Sequence, residues 1–191
     1  MGVMGSRRPW KDGTNLKEEQ MGKVVTGRYT AQADGSLVVF LIGMRINHLW
    51  AVRKWVPTFL AMAQMLPRLF RHPDKGFLGA QTIFYWRGIG LVQYWRSFDD
   101  LERFARSPSE PHLAAWRRFN RVVGYQDGSV GFWHESYLIG PQSYEVVYGN
   151  MPVFGLAKAT THLPAVGRRE TARARLGGHS KPAVPSPPQP A

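Results

Sequence analysis

Residues 90–148 read GLVQYWRSFDDLERFARSPSEPHLAAWRRFNRVVGYQDGSVGFWHESYLIGPQSYEVVY, and their pattern decides the fold. Leu91–Trp95 is a short apolar run of strand type. Ser97-Phe98-Asp99-Asp100 has the spacing of a capping box in which Asp replaces Glu, and both aspartates fall in the positive first turn of a helix. Leu101, Phe104 and Ala105 form the apolar stripe of that helix, and Pro108 ends it. Leu113, Trp116, Phe119 and Val123 then recur at helical spacing, with Arg117, Arg118 and Arg121 on the other side. Ser129–Ile139 alternates as a strand, and Tyr144–Tyr148 reads as its short partner beyond the turn at Gly140-Pro141.

Upstream, Asp34-Gly35-Ser36 is a turn signal, and Leu37–Met44 (LVVFLIGM) is a continuous branched run expected to be a buried strand. From Leu49 to Phe70 apolar residues return every three or four positions, which predicts an amphipathic helix broken or kinked at Pro57 and Pro67. Phe77–Trp86 and Leu91–Trp95 read as two strands joined by a hairpin at Arg87-Gly88-Ile89-Gly90. The order strand, helix, strand, strand, helix, strand predicts an α+β fold: a ferredoxin-like antiparallel sheet with helices on one face. The other, apolar face then needs a partner, so a homodimer packing sheet against sheet is expected.

The 191 residues are expected to divide into an extended N-terminal arm over 1–25, a single domain over 26–176 and a disordered proline-rich tail over 177–191. Five of the last ten residues are proline, which forbids a helix there. Apolar residues make up 43%, enough for a packed core, and there is no cysteine. Disulfides, thiolate ligands and cysteine nucleophiles are thereby excluded, and a cytoplasmic location is expected. The net charge of +12 is concentrated at the ends, with +3 over residues 1–28 and +5 over 158–191. Nucleic acid is therefore not expected as the main partner, because the middle of the chain lacks a reading motif. No membrane partner is expected either: the start has no apolar signal-type stretch, and the longest uncharged apolar run, between Lys54 and Arg68, is too short to span a bilayer.

Several motifs together resemble a known family: VVFLIGMRIN, LVQYWRSFDDLERFAR, HLAAWRRFNR, VGFWHESY and YEVVYGNMPVFGLAKAT, spread over Val24 to Gly177. They are similar to an uncharacterised bacterial and fungal family of dimeric α+β-barrel proteins. That family is grouped with the monooxygenase-like protein of fumagillin biosynthesis and, more distantly, with antibiotic-biosynthesis monooxygenases. The resemblance implies a dimeric α+β barrel and one of two chemistries. One is oxidation of a small hydrophobic or aromatic molecule by oxygen with no metal or bound cofactor. The other uses haem held by a histidine, as in haem-degrading oxygenases or aldoxime dehydratases. It carries over no agreed set of catalytic residues.

Candidate residues come from the chemistry of the side chains. His112 opens a helical segment after Pro111, where the helix N-terminus keeps an imidazole neutral and able to take a proton or bind iron; a plain solvent-facing helix start is the alternative. His134 and Glu135 are adjacent on a strand and must point to opposite faces. Phe132, His134 and Ser136 share one face, and Trp133, Glu135 and Tyr137 the other. Glu135 is either a base or half of a structural ion pair with Arg45 or Arg96. The candidate catalytic residues are thus His112, His134 and Glu135. Arg45, Trp95, Trp116 and Tyr137 are candidates for holding substrate, with core packing as the alternative for the two tryptophans. No metal-binding spacing, phosphate loop or nucleophile triad is present. A non-catalytic module that captures a small apolar metabolite remains the reading from a different class.

Overall fold

The structure is a computed structural model that describes residues 22–108 and 111–190; the side chains of Pro111, His112 and Ala115 also lie outside it. The expected N-terminal arm falls almost wholly outside the described residues. β1 (Val25–Gln32) is followed by β2 (Leu37–Ile46), α1 (Val52–Arg71), β3 (Phe77–Tyr85), β4 (Gly88–Trp95), α2 (Phe98–Arg106), α3 (Pro111–Val122) and β5 (Val130–Ile139). After these come β6 (Tyr148–Met151), α4 (Leu156–Ala159), β7 (Thr161–Pro164) and α5 (Ala172–Arg175). Strands β3-β4-β2-β5 form one antiparallel sheet in that order. This is the ferredoxin-like order, an α+β fold consistent with an α+β barrel.

One face of the sheet carries the helices. Val38 and Trp95 pack against Leu69 of α1 and Leu101 of α2, and Met44 and Val130 pack against Phe119 of α3 and Val123. The start of α2 is built as its sequence reads, with Ser97 Oγ accepting the Asp100 N–H at 3.1 Å. The opposite face is covered at one end only, by a second sheet ordered β6-β1-β7 and by α4, through Ala31, Leu156 and Ala157 against Leu37 and Val39.

Four details differ from expectation. Residues Tyr144–Val147 form no strand, and β6 begins at Tyr148 and pairs with β1, not β5, because the chain leaves the first sheet after Ile139. The β3–β4 turn is Trp86-Arg87, while Gly88 and Gly90 lie inside β4. Arg87 takes the left-handed conformation (φ 55°), and its guanidinium donates to the Asn47 carbonyl at 2.6 Å. α1 runs unbroken through Pro57 and Pro67. Each proline withholds one N–H but keeps a helical φ, and Trp55, Met62 and Leu69, seven residues apart, seat the whole helix on the two cores. Lastly, the face away from the helices is not bare along its full length.

No helix among the described residues is long and apolar enough to cross a membrane. From Gly177 to Pro190 the chain forms neither helix nor strand, and Ser186 and Gln189 contact Arg28 of β1.

Candidate active site

The sheet divides the candidate residues between its two faces. In an antiparallel ladder, directly paired residues point the same way. Pairing of β5 with β2 joins Trp133 to Gly43, Glu135 to Leu41 and Tyr137 to Val39 on the face away from the helices. Phe132, His134 and Ser136 pair with Met44, Ile42 and Phe40 on the helix face. Arg45 lies on the first face, between Gly88 of β4 and Gly131 of β5.

On the helix face the tryptophans belong to the core. Trp95 is wholly buried, contacts Phe77 and Phe104 edge-on or tilted, and donates from Nε1 to Gln93 Oε1 at 2.9 Å. Its expected place in a substrate pocket is therefore corrected to core packing: no part of its ring is open to a ligand. Trp116 is partly buried, stacked on Phe119 and edge-on to Phe132 at 4.7 Å. His134 is exposed, with Phe40 as its ring neighbour at 5.7 Å, and no hydrogen bond engages either nitrogen among the described residues. His112 is the second residue of α3, one helical turn before Trp116, and its side chain lies outside the described residues.

The other face builds an aromatic plate of two rings set at an angle to each other, which the sequence reading did not pick out. Tyr85 lies across the sheet, its hydroxyl donating to the Met44 carbonyl at 2.7 Å and accepting the Trp133 Nε1–H at 2.6 Å. The two rings meet at 6.0 Å and 65°. Glycines make room for this: a Cβ at Gly88 would overlap the Tyr85 ring, and one at Gly43 would sit 2.8 Å from both Trp133 Nε1 and Tyr85 Oη. Gly43 and Gly90 are cross-strand partners, so the floor of the plate is backbone. The signal was present in the sequence as Gly88 and Gly90 at alternate positions of β4 and Gly43 within β2, beside Tyr85 and Trp133.

Glu135 and Tyr137 are the next two residues on that face of β5, and both are exposed. Tyr137 donates to Glu135 Oε2 at 2.5 Å. This hydrogen bond, and then the carboxylate's charge, raise the phenol's pKa above its usual 10.0, so Tyr137 keeps its proton. Glu135 has neither expected ion partner. Arg45 bonds Asn47 Oδ1 at 2.5 Å, and Arg96 bonds Asp100 at 3.0 Å. Of the two alternatives for Glu135, the ion pair with Arg45 or Arg96 is not formed: at that point of β5 the sheet face is open to solvent.

Glu135 and Arg45 thus share the face away from the helices, and a pocket between sheet and helices is not where Glu135 points. Two other concavities hold none of the candidate residues. One, of about 320 Å³, lies between β1, residues 141–146 and residues 169–177. There Arg175 is held by Glu145 and by the carbonyls of Arg169 and Glu170 at 2.7 and 3.0 Å. The second, of about 500 Å³, is an open hollow at Arg117, Arg118 and Arg121 of α3. Among the described residues no group of three or more His, Asp or Glu side chains is placed to hold a metal ion.

Comparison with known proteins adds a lineage. The profile of the family described as Monooxygenase af470-like matches residues 37–156. The protein Monooxygenase af470 of Aspergillus fumigatus is 32% identical over 155 residues, which is 68% of this chain and 53% of that protein. The chain thus spans about half the length of this curated relative. Among solved structures, aldoxime dehydratase (OxdRE) in complex with butyraldoxime superposes with a TM-score of 0.56 at 18% identity, over 70% of this chain and 40% of that one. A second aldoxime dehydratase gives 0.57 at 18% identity, over 70% and 41%. At that identity the likeness is one of fold alone.

Proposed function

The chain belongs to the monooxygenase af470-like family, and on that premise we propose that it oxidises a small hydrophobic or aromatic metabolite on the open face of its four-stranded sheet, without a metal. The observation that carries this is the hydrogen-bonded Glu135–Tyr137 pair standing beside the Tyr85–Trp133 plate. A flat apolar ring lies along one ring of the Tyr85–Trp133 pair with its edge toward the other, and Arg45, flanked by two glycines, holds an anionic group at the margin. Glu135 takes a proton from an acidic C–H of the substrate. The carbanion passes an electron to oxygen, and recombination forms the C–O bond. Cleavage of the O–O bond leaves one oxygen as a carbonyl and releases the other as water. Tyr137, kept protonated by its neighbour, supplies a proton to the reduced oxygen. A CH2 group and O2 become C=O and H2O: the substrate supplies all four electrons that reduce O2, and both C–H protons, the second lost as the O–O bond breaks, end in the water.

The slot is open to solvent in a single chain. We include a homodimer in the proposal: a second copy laying its own open face across Leu41, Ile83, Val92 and Tyr137 would bury apolar surface and exclude water from the site. Cytoplasmic location is part of the same proposal. The test is oxygen uptake by chelator-treated protein offered flat aromatic carbon acids, anthrone among them. Uptake without added metal supports the proposal, and uptake that needs iron or haemin overturns it.

A haem protein is the second reading, favoured by one observation. His134 presents an exposed imidazole on the helix face with both nitrogens unengaged among the described residues, a donor suited to haem iron. Bound haem would supply redox or Lewis-acid chemistry on that face. A Soret shift on adding haemin, lost in His134→Ala, would establish it.

A further inference from the structure

We infer that the edge of β1 at Gly27 and Arg28 is a peptide-recognition site that reads a glutamine carboxamide and a hydroxyl three residues before it, occupied in cis by Gln189 and Ser186. β7 is too short to pair with all of β1: its ladder runs from Thr161 opposite Gln32 to Pro164 opposite Tyr29 and stops there. Arg28 lies one residue beyond, and its N–H has no strand partner on that side. The Gln189 side chain takes the place of the missing strand. The Arg28 N–H donates to Gln189 Oε1 at 2.8 Å, and Gln189 Nε2 donates back to the Arg28 carbonyl. That carbonyl also accepts from Ala165 N at 2.9 Å. A carboxamide is the side chain that offers one donor and one acceptor side by side, as a peptide unit does.

The receptor is shaped for this contact. The β1–β6 register shifts between Val25 and Arg28, and Gly27 sits in that bulge at φ 107° with its N–H held by Asn150 Oδ1 at 2.9 Å. A Cβ at Gly27 would overlap Gln189 Oε1, so a residue with a side chain there excludes the carboxamide. The Arg28 guanidinium adds a second reading point, donating from Nη1 to Ser186 Oγ at 3.1 Å. Ser186 and Gln189 are separated by Pro187 and Pro188. A polyproline II stretch repeats every three residues, so both side chains fall on one face of an already stiff segment that loses little entropy on docking. The proline-rich tail thus fills the gap that β7 leaves beside Gly27 and Arg28 of β1, and the site accepts a Ser-Pro-Pro-Gln segment.

Amide hydrogen exchange on the full chain tests this. In Gln189→Ala the Arg28 amide should exchange at least about ten-fold faster, with Thr30, inside the β1–β7 ladder, unchanged. Adding the peptide SPPQPA to the Gln189→Ala chain should restore protection at Arg28, and SPPAPA should not. Gly27→Ala should open Arg28 and make it insensitive to either peptide. Unchanged exchange at Arg28 in Gln189→Ala, or the same response to both peptides, would overturn the inference.

Discussion

His134 and Glu135 are neighbours in sequence but stand on opposite faces of the sheet, His134 paired across to Ile42 and Glu135 to Leu41. One chemistry on one face cannot use both. Glu135→Gln should lower kcat by about 10²–10⁴-fold, the usual worth of a general base. His134→Ala should leave kcat within a few-fold. Steady-state oxygen uptake by the two variants, side by side, checks the assignment.

Tyr137 is tied to the same carboxylate, and this sets a pH dependence. The hydrogen bond and charge of Glu135 raise the Tyr137 pKa above 10.0, so the phenol stays protonated to a higher pH than an isolated tyrosine. In Glu135→Gln that support is lost, and the Tyr137 pKa should fall back toward its ordinary value. Titration of ring-labelled Tyr137 by NMR in both proteins measures it. An unchanged titration would mean that the contact does not form in solution.

The glycine floor makes a steric prediction. Gly88→Ala places a methyl group into the Tyr85 ring, so the ring must lift and break its hydrogen bond to Trp133. Overpacking of this kind costs about 1–3 kcal/mol. The variant should unfold at lower denaturant and lose affinity for flat ligands, whereas Gly149→Ala, with open space at its Cβ, should bind as the parent does.

Much of this was legible in the sequence, and the reasons are local. The two strand periods, the Ser97 cap and the alternation of Val130–Ile139 follow from side-chain pattern alone, and so does the division of His134 from Glu135. What the pattern does not carry is what lies over each face. Trp95 and Tyr137 look alike as aromatic strand residues, yet one is sealed by Leu69 and Leu101 and the other is half exposed. Which of them touches solvent depends on helices far away in the chain. The pairing of Tyr148–Met151 with β1 is likewise a long-range choice, across more than a hundred residues. The Tyr85–Trp133 contact depends on a register that places Gly43 between them.

Acid should weaken one structural corner. Asp100 is almost buried and bonds Arg96 at 3.0 Å and Arg103 at 2.8 Å. The Arg96 hydrogen bond, foremost, holds its pKa below the ordinary 3.8 in spite of burial. A depressed carboxylate pKa contributes stability that is fully present above 3.8 and is lost as pH falls through the lower folded value. Asp100→Asn should therefore lower Tm near neutral pH, with the difference from the parent shrinking as the solution becomes strongly acidic. Thermal unfolding across that range measures it, and a gap that widens in acid would contradict it.

Trp95→Ala should cost about 3–5 kcal/mol, the range for truncating a buried aromatic. Because Trp95 is sealed in the core, the loss should appear in unfolding free energy, with KM near the parent value at temperatures where the variant stays folded. A large rise in KM at full stability would return Trp95 to the substrate site.

The most direct measurement is incorporation of labelled oxygen from ¹⁸O2 into an oxidised flat carbon acid by chelator-treated protein, parent against Glu135→Gln. One labelled oxygen in the parent product, and labelled product formed about a hundred-fold or more slowly with Glu135→Gln, is the predicted result. Incorporation that is equal in both proteins, or that appears only after iron or haemin is added, would contradict a metal-free oxygenase site at Glu135.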